Sequence, residues 1–391
     1  MRKLAVLCLA LILVVVPVQA AVFEENEIQA IGAVLMDART GRVLWGKNEH
    51  APLAMASTTK IMTAIAALEN GDIESKVVAS RRAAMAPKVH MGLSAGEEFR
   101  LYDLLLALML ESSNDAAIAI AEHISGSMED FCVLMTHKAR EIGADNTVFE
   151  TPSGLDAENH LSTAYDMALI TRYALENEEF MRLINTRSAE FRSSRRVYHM
   201  NNKNRLLNEF EGANGVKTGF TGKAGQCFVG ACKRGDMQLI SVVLGSGWGA
   251  EGREQKWKDT KKILTHGFDN FKYEVIIAPQ GDSGDIYVER SKTLFIPTYF
   301  AHGLMLPLSR EEYESIVIDS DAPRLLRAPI IDGQRMGTAK VFIMGELAQE
   351  IPILANGTAA RHDLKTSLER VLNTWLEMGT NEKVDTLLPE F

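Results

Sequence analysis

The chain has 391 residues, with 42 basic against 51 acidic side chains and a net charge of -9. A composition 46% hydrophobic and 24% charged, with 29 Gly and 11 Pro, excludes a disordered, collagenous or polytopic membrane protein, and the length fits two or three domains. The acidic balance argues against a nucleic-acid partner, which needs a basic field to displace counterions.

Met1-Arg2-Lys3 precedes an apolar run from Leu4 to Val16, then Pro17 and the small-residue site Val18-Gln19-Ala20. This is the pattern of a secretory signal peptide over residues 1–20. As a helix the run reaches roughly 20 Å, short of the roughly 30 Å hydrocarbon core, so a permanent anchor is the weaker reading. Cys8 sits in the wrong context for lipid attachment. Processing makes the mature chain more acidic by the loss of Arg2 and Lys3. It leaves Cys132, Cys227 and Cys232, an odd number at no framework spacing, which reads as buried thiols.

Ala33–Asp37 and Arg42–Trp45 flank Ala38-Arg39-Thr40-Gly41 and predict a β-hairpin. Helical periodicity follows over Ser57–Leu68, Leu101–Leu110, Asp115–Ile124, Met128–Ile142 and Ser162–Leu175. Strand patterns return at Asn214–Thr221, Gln226–Lys233 and Met237–Leu244, before a helix over Arg253–Phe271. Strands on both sides of a helical block predict one α/β domain whose sheet is closed by distant parts of the chain. Within Gln226–Lys233 a five-residue offset puts Cys227 and Cys232 on opposite faces, roughly 16 Å apart, too far to bridge. A bond from Cys132 to either stays open. From about residue 275, short β-rich runs at Val275–Ala278, Leu294–Pro297, Ile316–Ile318 and Val341–Met344 predict a small all-β module. From Arg361, the residues Leu364, Leu368, Val371, Leu372, Trp375 and Leu376 recur at helical spacing, an amphipathic helix. The domain boundaries are therefore 1–20, 21–274, 275–360 and 361–391.

Three short motifs carry chemistry: Ser57-Thr58-Thr59-Lys60, Ser112-Ser113-Asn114 and Lys217-Thr218-Gly219. Each alone has a plain structural explanation. A Ser and a Lys in a helix commonly face solvent, Asn114 or Asp115 would serve as an Asx N-cap, and Lys217 could be a solvated lysine at a strand end. Context favours chemistry for the first. Ser57 opens a helix whose other residues are almost wholly apolar, so Lys60 lies against buried surface, one turn from the hydroxyl. A hydroxyl is a poor nucleophile until a base takes its proton, and a desolvated lysine of lowered pKa is such a base. A second lysine nearby lowers it further, and Lys217 is the candidate.

Taken in order, the motifs resemble those of the penicilloyl-serine transferases, the penicillin-binding proteins and serine β-lactamases. With Leu35-Met36-Asp37, Thr40-Gly41, Ser153-Gly154-Leu155-Asp156 and Ser162-Thr163-Ala164, the chain resembles one branch over residues 28–272. That branch is the low-molecular-mass D-alanyl-D-alanine carboxypeptidases of peptidase S11 type. The resemblance implies an α/β (α+β) DD-peptidase/β-lactamase-like domain with an antiparallel sheet flanked by helices, then a small all-β domain and a terminal amphipathic helix. It assigns Ser57 as the acylated nucleophile, Lys60 as general base and Ser112 as proton relay to the leaving amine. Asn114 would bind the substrate amide, Lys217 and Thr218 the terminal carboxylate, and Gly219 would admit substrate backbone. The N–H groups of Ser57 and Phe220 would form the oxyanion hole. Peptidoglycan stem peptides are the implied substrates and β-lactams covalent inhibitors, without metal or cofactor, in the periplasm or cell envelope.

Phe220 and Lys203 depart from family patterns: a polar residue is often found at the first and Arg in some relatives at the second, so help from Lys203 with a carboxylate is in doubt. A β-lactamase would also need a Glu-x-x-Leu-Asn-like segment, which is missing. An endopeptidase would use the same residues, and an idle wall-binding protein would not need the motifs intact. Leu244–Gly249 superficially resembles a dinucleotide loop, but the three-residue turn before its strand implies an antiparallel hairpin. No close His pair suggests a metal site. The terminal segment 361–378 has two readings, peripheral membrane contact or packing on the β-module or a partner, with Asp363, Glu369 and Glu377 offsetting its basic residues.

Overall fold

The computed structural model describes Phe23, residues 25–362 and the helix backbone at 364–379. The signal-peptide reading, with Cys8, lies outside these residues.

The predicted hairpin forms as β1 (Gly32–Asp37) and β2 (Val43–Lys47). Asp37 closes its turn, accepting Thr40 N–H at 2.8 Å and Thr40 Oγ1–H at 2.6 Å. The first predicted helix begins instead as a 3-10 turn, Ala56–Thr59, and becomes α1 (Lys60–Asn70). Every residue of α1 from Lys60 to Ala67 is buried, as expected of a helix apolar on all sides. Between β3 (Lys76–Val78) and β4 (Glu98–Arg100) lies the short α2 (Arg81–Ala84). The helical block continues as α3 (Leu101–Leu110), α4 (Asn114–Ser125), α5 (Met128–Ile142) and α6 (Ala164–Ala174). Helices α4 and α5 end at Gly126 and Gly143, both at positive φ, where a residue without Cβ terminates a helix at least strain.

The sequence reading did not anticipate α7 (Glu178–Asn185) or the hairpin of β5 (Ser188–Arg192) and β6 (Val197–Asn201). Helix α7 does carry Phe180, Leu183 and Ile184 at helical spacing, but it spans only eight residues and each hairpin strand only five, too short a window for either period to stand out. After α8 (Leu206–Glu209) come β7 (Ala213–Thr221), β8 (Gly225–Arg234), β9 (Met237–Leu244) and α9 (Gly249–Asn270).

The five-stranded sheet runs β2-β1-β9-β8-β7 and is antiparallel throughout. Its middle comes from the first and last strands of this block, the closure by distant segments that the pattern predicted. Both faces are covered, so β1 and β9 read as continuous apolar runs. Val34, Met36, Cys227, Val229 and Val242 pack toward α1 and its neighbours, while Leu35, Phe228, Cys232 and Leu239 pack toward Trp257 and Ile263 of α9. Cys227 and Cys232 thus face opposite ways, and they and Cys132 are free, buried thiols. Buried Asp259 on α9 accepts the N–H groups of Gln29 and Ala30 at 3.2 and 3.1 Å, fastening the segment that leads into β1.

Beyond α9 the strands are β10 (Lys272–Ile277), β11 (Asp282–Glu289), β12 (Phe295–Phe300) and β13 (Leu304–Leu308). After α10 (Arg310–Glu314) follow β14 (Val317–Ser320), β15 (Leu325–Arg327), β16 (Arg335–Ile343) and β17 (Glu346–Ala355). They form a six-stranded sheet, β14-β16-β17-β12-β11-β15, and the pair β10-β13. Tyr273 donates its hydroxyl to Asp37 at 2.7 Å, and Arg42 donates to Pro307 O and pairs with Glu312, so the first hairpin contacts the β10-β13 pair and α10. The last helix, α11 (Leu364–Gly379), leaves Leu368, Val371, Leu372 and Trp375 exposed.

Candidate active site

Ser57 lies in the 3-10 turn that feeds α1, directly after Ala56, which holds a positive φ of 49°. A left-handed alanine is strained, and such strain persists only where surroundings fix it. Here Ala56 O accepts from Thr59 Oγ1 at 2.8 Å, and the Thr59 hydroxyl also lies 2.8 Å from His160 Nε2.

Lys60, one turn on, is fully buried. Its Nζ lies 3.1 Å from Ser57 Oγ, 2.9 Å from Asn114 Oδ1 and 2.5 Å from Ser153 O. Asn114 is oriented by its own Nδ2, which donates to Pro87 O at 3.2 Å. Two of the three partners of Lys60 can only accept. A neutral amine spends its two N–H groups on them and turns its lone pair to the third, the Ser57 hydroxyl. Burial, and then the charge of Lys217, hold Lys60 well below the ordinary lysine value, with Asp115 pulling weakly the other way.

Asn114 is not an N-cap. It is the first residue of α4, its side chain is committed to Lys60, and Ser113 in the cap position makes no side-chain cap bond. Asp115 instead accepts the N–H groups of Met91, Gly92 and Leu93 at 2.8–3.1 Å, tying the loop before β4 to the site. Ser112 also has a positive φ, 66°. Its hydroxyl is absent from the hydrogen bonds of both Lys60 and Lys217 among the described residues.

Lys217 is not the solvated strand-end lysine that the alternation allowed. It is 2% exposed, because β7 presses against the turn that carries Ser57. A Cβ on Gly219 would stand 3.0 Å from Ser57 N, so glycine permits that approach, and Lys217, two residues away, points to the same face. Burial, then the Lys256 charge, push Lys217 down to about 7. Its Nζ donates to Thr218 O at 3.2 Å. Strand β7 is an edge of the sheet. Gln226 of β8 uses its N–H and C=O on Gly247 and Ser246, so Phe220, its partner across β7-β8, turns its own backbone groups to the open edge.

Sequence reasoning placed Ser153 and Gly154 in a motif without a role, and it missed His160. Gly154 has φ 84°, and a Cβ there would lie 1.9 Å from Ala56 O and 2.9 Å from Ser57 N, so only glycine lets this loop carry Ser153 O to Lys60. His160 is 2% exposed. Its Nδ1 accepts the N–H of Glu150 at 3.0 Å, which makes Nε2–H the donor to Thr59. One imidazole thereby joins the Ser57 turn to the Ser153 loop. Asp156 accepts from Thr221 Oγ1 at 2.6 Å and fastens the same loop to the end of β7. Lys203 is engaged by Glu111 at 3.1 Å, so its charge is already matched by a carboxylate.

The sequence profile of the peptidase S11 family, D-alanyl-D-alanine carboxypeptidase, matches residues 19–247. The D-alanyl-D-alanine carboxypeptidase DacF of Bacillus subtilis (strain 168) is 33% identical over 354 residues, covering 89% of this chain and 90% of that protein. DacC of Escherichia coli (strain K12) is 30% identical over 355 residues, covering 85% and 84%. Among solved structures, the D-alanyl-D-alanine carboxypeptidase DacD from Francisella tularensis superposes with a TM-score of 0.73 at 26% identity, over 86% of this chain and 95% of that one. Penicillin binding protein 5 from Haemophilus influenzae gives 0.70 at 25% identity, over 85% and 98%.

Burial pushes His160 down to about 4, while in the unfolded chain it protonates near its ordinary value of about 6.5. Between these values only the unfolded state gains the proton, so stability falls with decreasing pH by about 1.4 kcal/mol per unit from this group. Chemical denaturation at pH 7 and pH 5 should give a loss of roughly 2 kcal/mol in the wild type that is missing in His160→Asn.

Proposed function

Since this chain belongs to the D-alanyl-D-alanine carboxypeptidase family, we propose that Ser57 is acylated by the penultimate D-alanine of a peptidoglycan stem peptide and releases the terminal one. The observation that carries this reading is the hydrogen-bond set of Lys60, which puts a buried amine 3.1 Å from Ser57 Oγ while its other two partners can only accept. Lys60 takes the hydroxyl proton as Oγ attacks the carbonyl carbon. The oxyanion is met by the N–H of Ser57 and by that of Phe220 on the open edge of β7. Any non-proline residue supplies such an N–H, so phenylalanine at 220 is compatible with the role.

Substrate backbone adds along β7, with Asn114 taking the amide on the acyl side and Gly219 allowing close approach. Lys217 and Thr218 receive the terminal carboxylate. That anion also favours the charged form of Lys217, whose pKa burial holds near 7. Lys60 passes the proton it took from Ser57 by way of Ser112 to the leaving amine as the C–N bond breaks, and is neutral again. Water, activated by Lys60, then hydrolyses the ester and restores Ser57. A β-lactam ring enters the first half of this sequence and stays attached. No metal or cofactor has a part in these steps.

Residues 21–274 would form the catalytic domain and 275–360 a β-rich support, in a protein exported by its 1–20 signal to the periplasm or cell envelope. The exposed Leu368, Val371, Leu372 and Trp375 of α11 favour peripheral contact of 361–378 with a membrane over packing on the β-module.

Labelled penicillin should attach covalently to the wild type and not to Ser57→Ala; no label on the wild type, or equal label on both, rejects the acyl-enzyme. Free D-alanine should be released from a pentapeptide, whereas cleavage of cross-linked dimers alone would favour an endopeptidase. A chain truncated after Ala360 should no longer sediment with anionic liposomes; unchanged sedimentation rejects the membrane contact.

A further inference from the structure

The end of the β-module from which α11 departs carries an apolar strip. Tyr287 of β11 stands opposite Phe295 of β12 and in register with Leu325 of β15, so the three side chains share one face of the sheet. The two rings form an edge-on pair with centroids 5.5 Å apart. Ile286, Val288 and Ile296, the alternate residues, fill the core on the other face. The outer three are 37%, 56% and 48% exposed, and Leu294 beside them is exposed as well. Strand β15 is the last of its sheet, so the strip runs out to an edge.

The same end is basic on a chain whose net charge is -9. In segments 285–294, 324–327 and 361–365, Arg290, Lys292, Arg324, Arg327, Arg361 and Lys365 stand against Asp285, Glu289 and Asp363. All six basic residues are exposed. Arg327 is matched by Glu289 at 3.0 Å, whereas Arg290, Lys292 and Arg324 enter no ion pair among the described residues. Backbone hydrogen bonds hold the segments together: the Tyr287 N–H donates to Arg324 O at 3.1 Å, and the His362 N–H donates to Arg290 O at 2.8 Å. Ser291 and Arg361 form a β-bridge. The β11–β12 turn is thus fixed at the base of α11, whose own apolar residues are exposed.

Aromatic and leucine side chains flanked by unmatched cations suit an anionic bilayer surface, where rings lie at headgroup level and guanidinium and ammonium groups meet lipid phosphates. A soluble polyanion would meet the cations and leave the strip in water. Helix α11 supplies little of this attraction, because Asp363, Glu369 and Glu377 offset its basic residues. Resting on the membrane contact read above for 361–378, we infer that the β11–β12 turn and the outer face of β11, β12 and β15 are a second point of attachment, one that recognises anionic phospholipid headgroups. The helix contributes apolar insertion and the β-module end contributes the preference for charge. A few basic residues multiply the binding of the helix without replacing it, so loss of α11 still releases the protein.

The test measures partition of the chain beginning at Ala21 onto phosphatidylcholine vesicles and onto vesicles of an equal mixture of phosphatidylcholine and phosphatidylglycerol. The wild type should bind the mixed vesicles at least about twentyfold more tightly, at about fivefold for each basic residue held at the surface, and should lose that gain in high salt. Arg290→Gln combined with Lys292→Gln should remove about that factor on mixed vesicles and nothing on phosphatidylcholine. Phe295→Ser should weaken binding to both. These variants should keep wild-type thermal midpoints and penicillin labelling. Arg81→Gln combined with Arg192→Gln, the same charge change at exposed positions of the catalytic block, should leave partition unchanged. An equal loss in that control overturns the second attachment, because net charge alone would then explain the effect. Equal wild-type binding to both vesicles also overturns it while leaving the helix contact intact, whether or not the protein captures soluble polyphosphate. A wild type that binds neither vesicle overturns the helix contact and the second attachment with it.

Discussion

A primary amine taken out of water must find partners for its hydrogens or surrender its charge. Lys60 does both, and the arrangement of the catalytic block follows from how. Its partners come from sequence positions 3, 54 and 93 residues away, so the start of α1, the start of α4 and the loop before α6 must converge on one nitrogen. Ala56 in a left-handed conformation, Gly154 against Ala56 O and Gly219 against Ser57 N are the local consequences of bringing three backbones to that point. Their geometry leaves the amine with two fixed acceptors and one hydroxyl. A surface lysine one turn from a serine would have the same spacing and none of this chemistry.

Around that nitrogen the charges are graded. Lys217 stands on the same face of β7 as Gly219, and Lys256 on α9 depresses it in turn from behind. Lys256 is itself held near 8 by burial and donates to Gln226 at 2.7 Å. The two lysines of the sequence motifs are thus both held below their ordinary value by burial, Lys60 beside the Ser57 hydroxyl and Lys217 near 7. Positions across the sheet therefore shape a site on its front.

Much of this was legible in the residues. The run Ile61–Ala67 declares that Lys60 lies on a buried helix, the three motifs name the polar groups, and the strand patterns on either side of the helical block anticipate the sheet. The rest depended on contacts that spacing cannot convey. Ser153 O and His160 act on residues 93 and 101 positions away, and a lone histidine in a polar loop looks the same whether buried or free. Lys217 looked compatible with a solvated strand end because alternation describes the strand and not what packs on it. Asn114 looked like a helix cap because capping is the commonest use of asparagine at that position. Helix α7 and the β5-β6 hairpin are too short, at eight and five residues per element, for their period to stand out from the surrounding chain. By contrast the opposite facing of Cys227 and Cys232 followed from the two-residue period alone.

The central claim is that the Lys60 amine gives up its proton well below the ordinary lysine range because it is buried beside a second lysine. The most direct test is a carbon-13 NMR titration of protein labelled at lysine Cε, with the Lys60 signal assigned by its loss in Lys60→Arg. The proposed mechanism requires that signal to titrate well below the ordinary lysine midpoint of about 10.4. A midpoint at or above that value would contradict it.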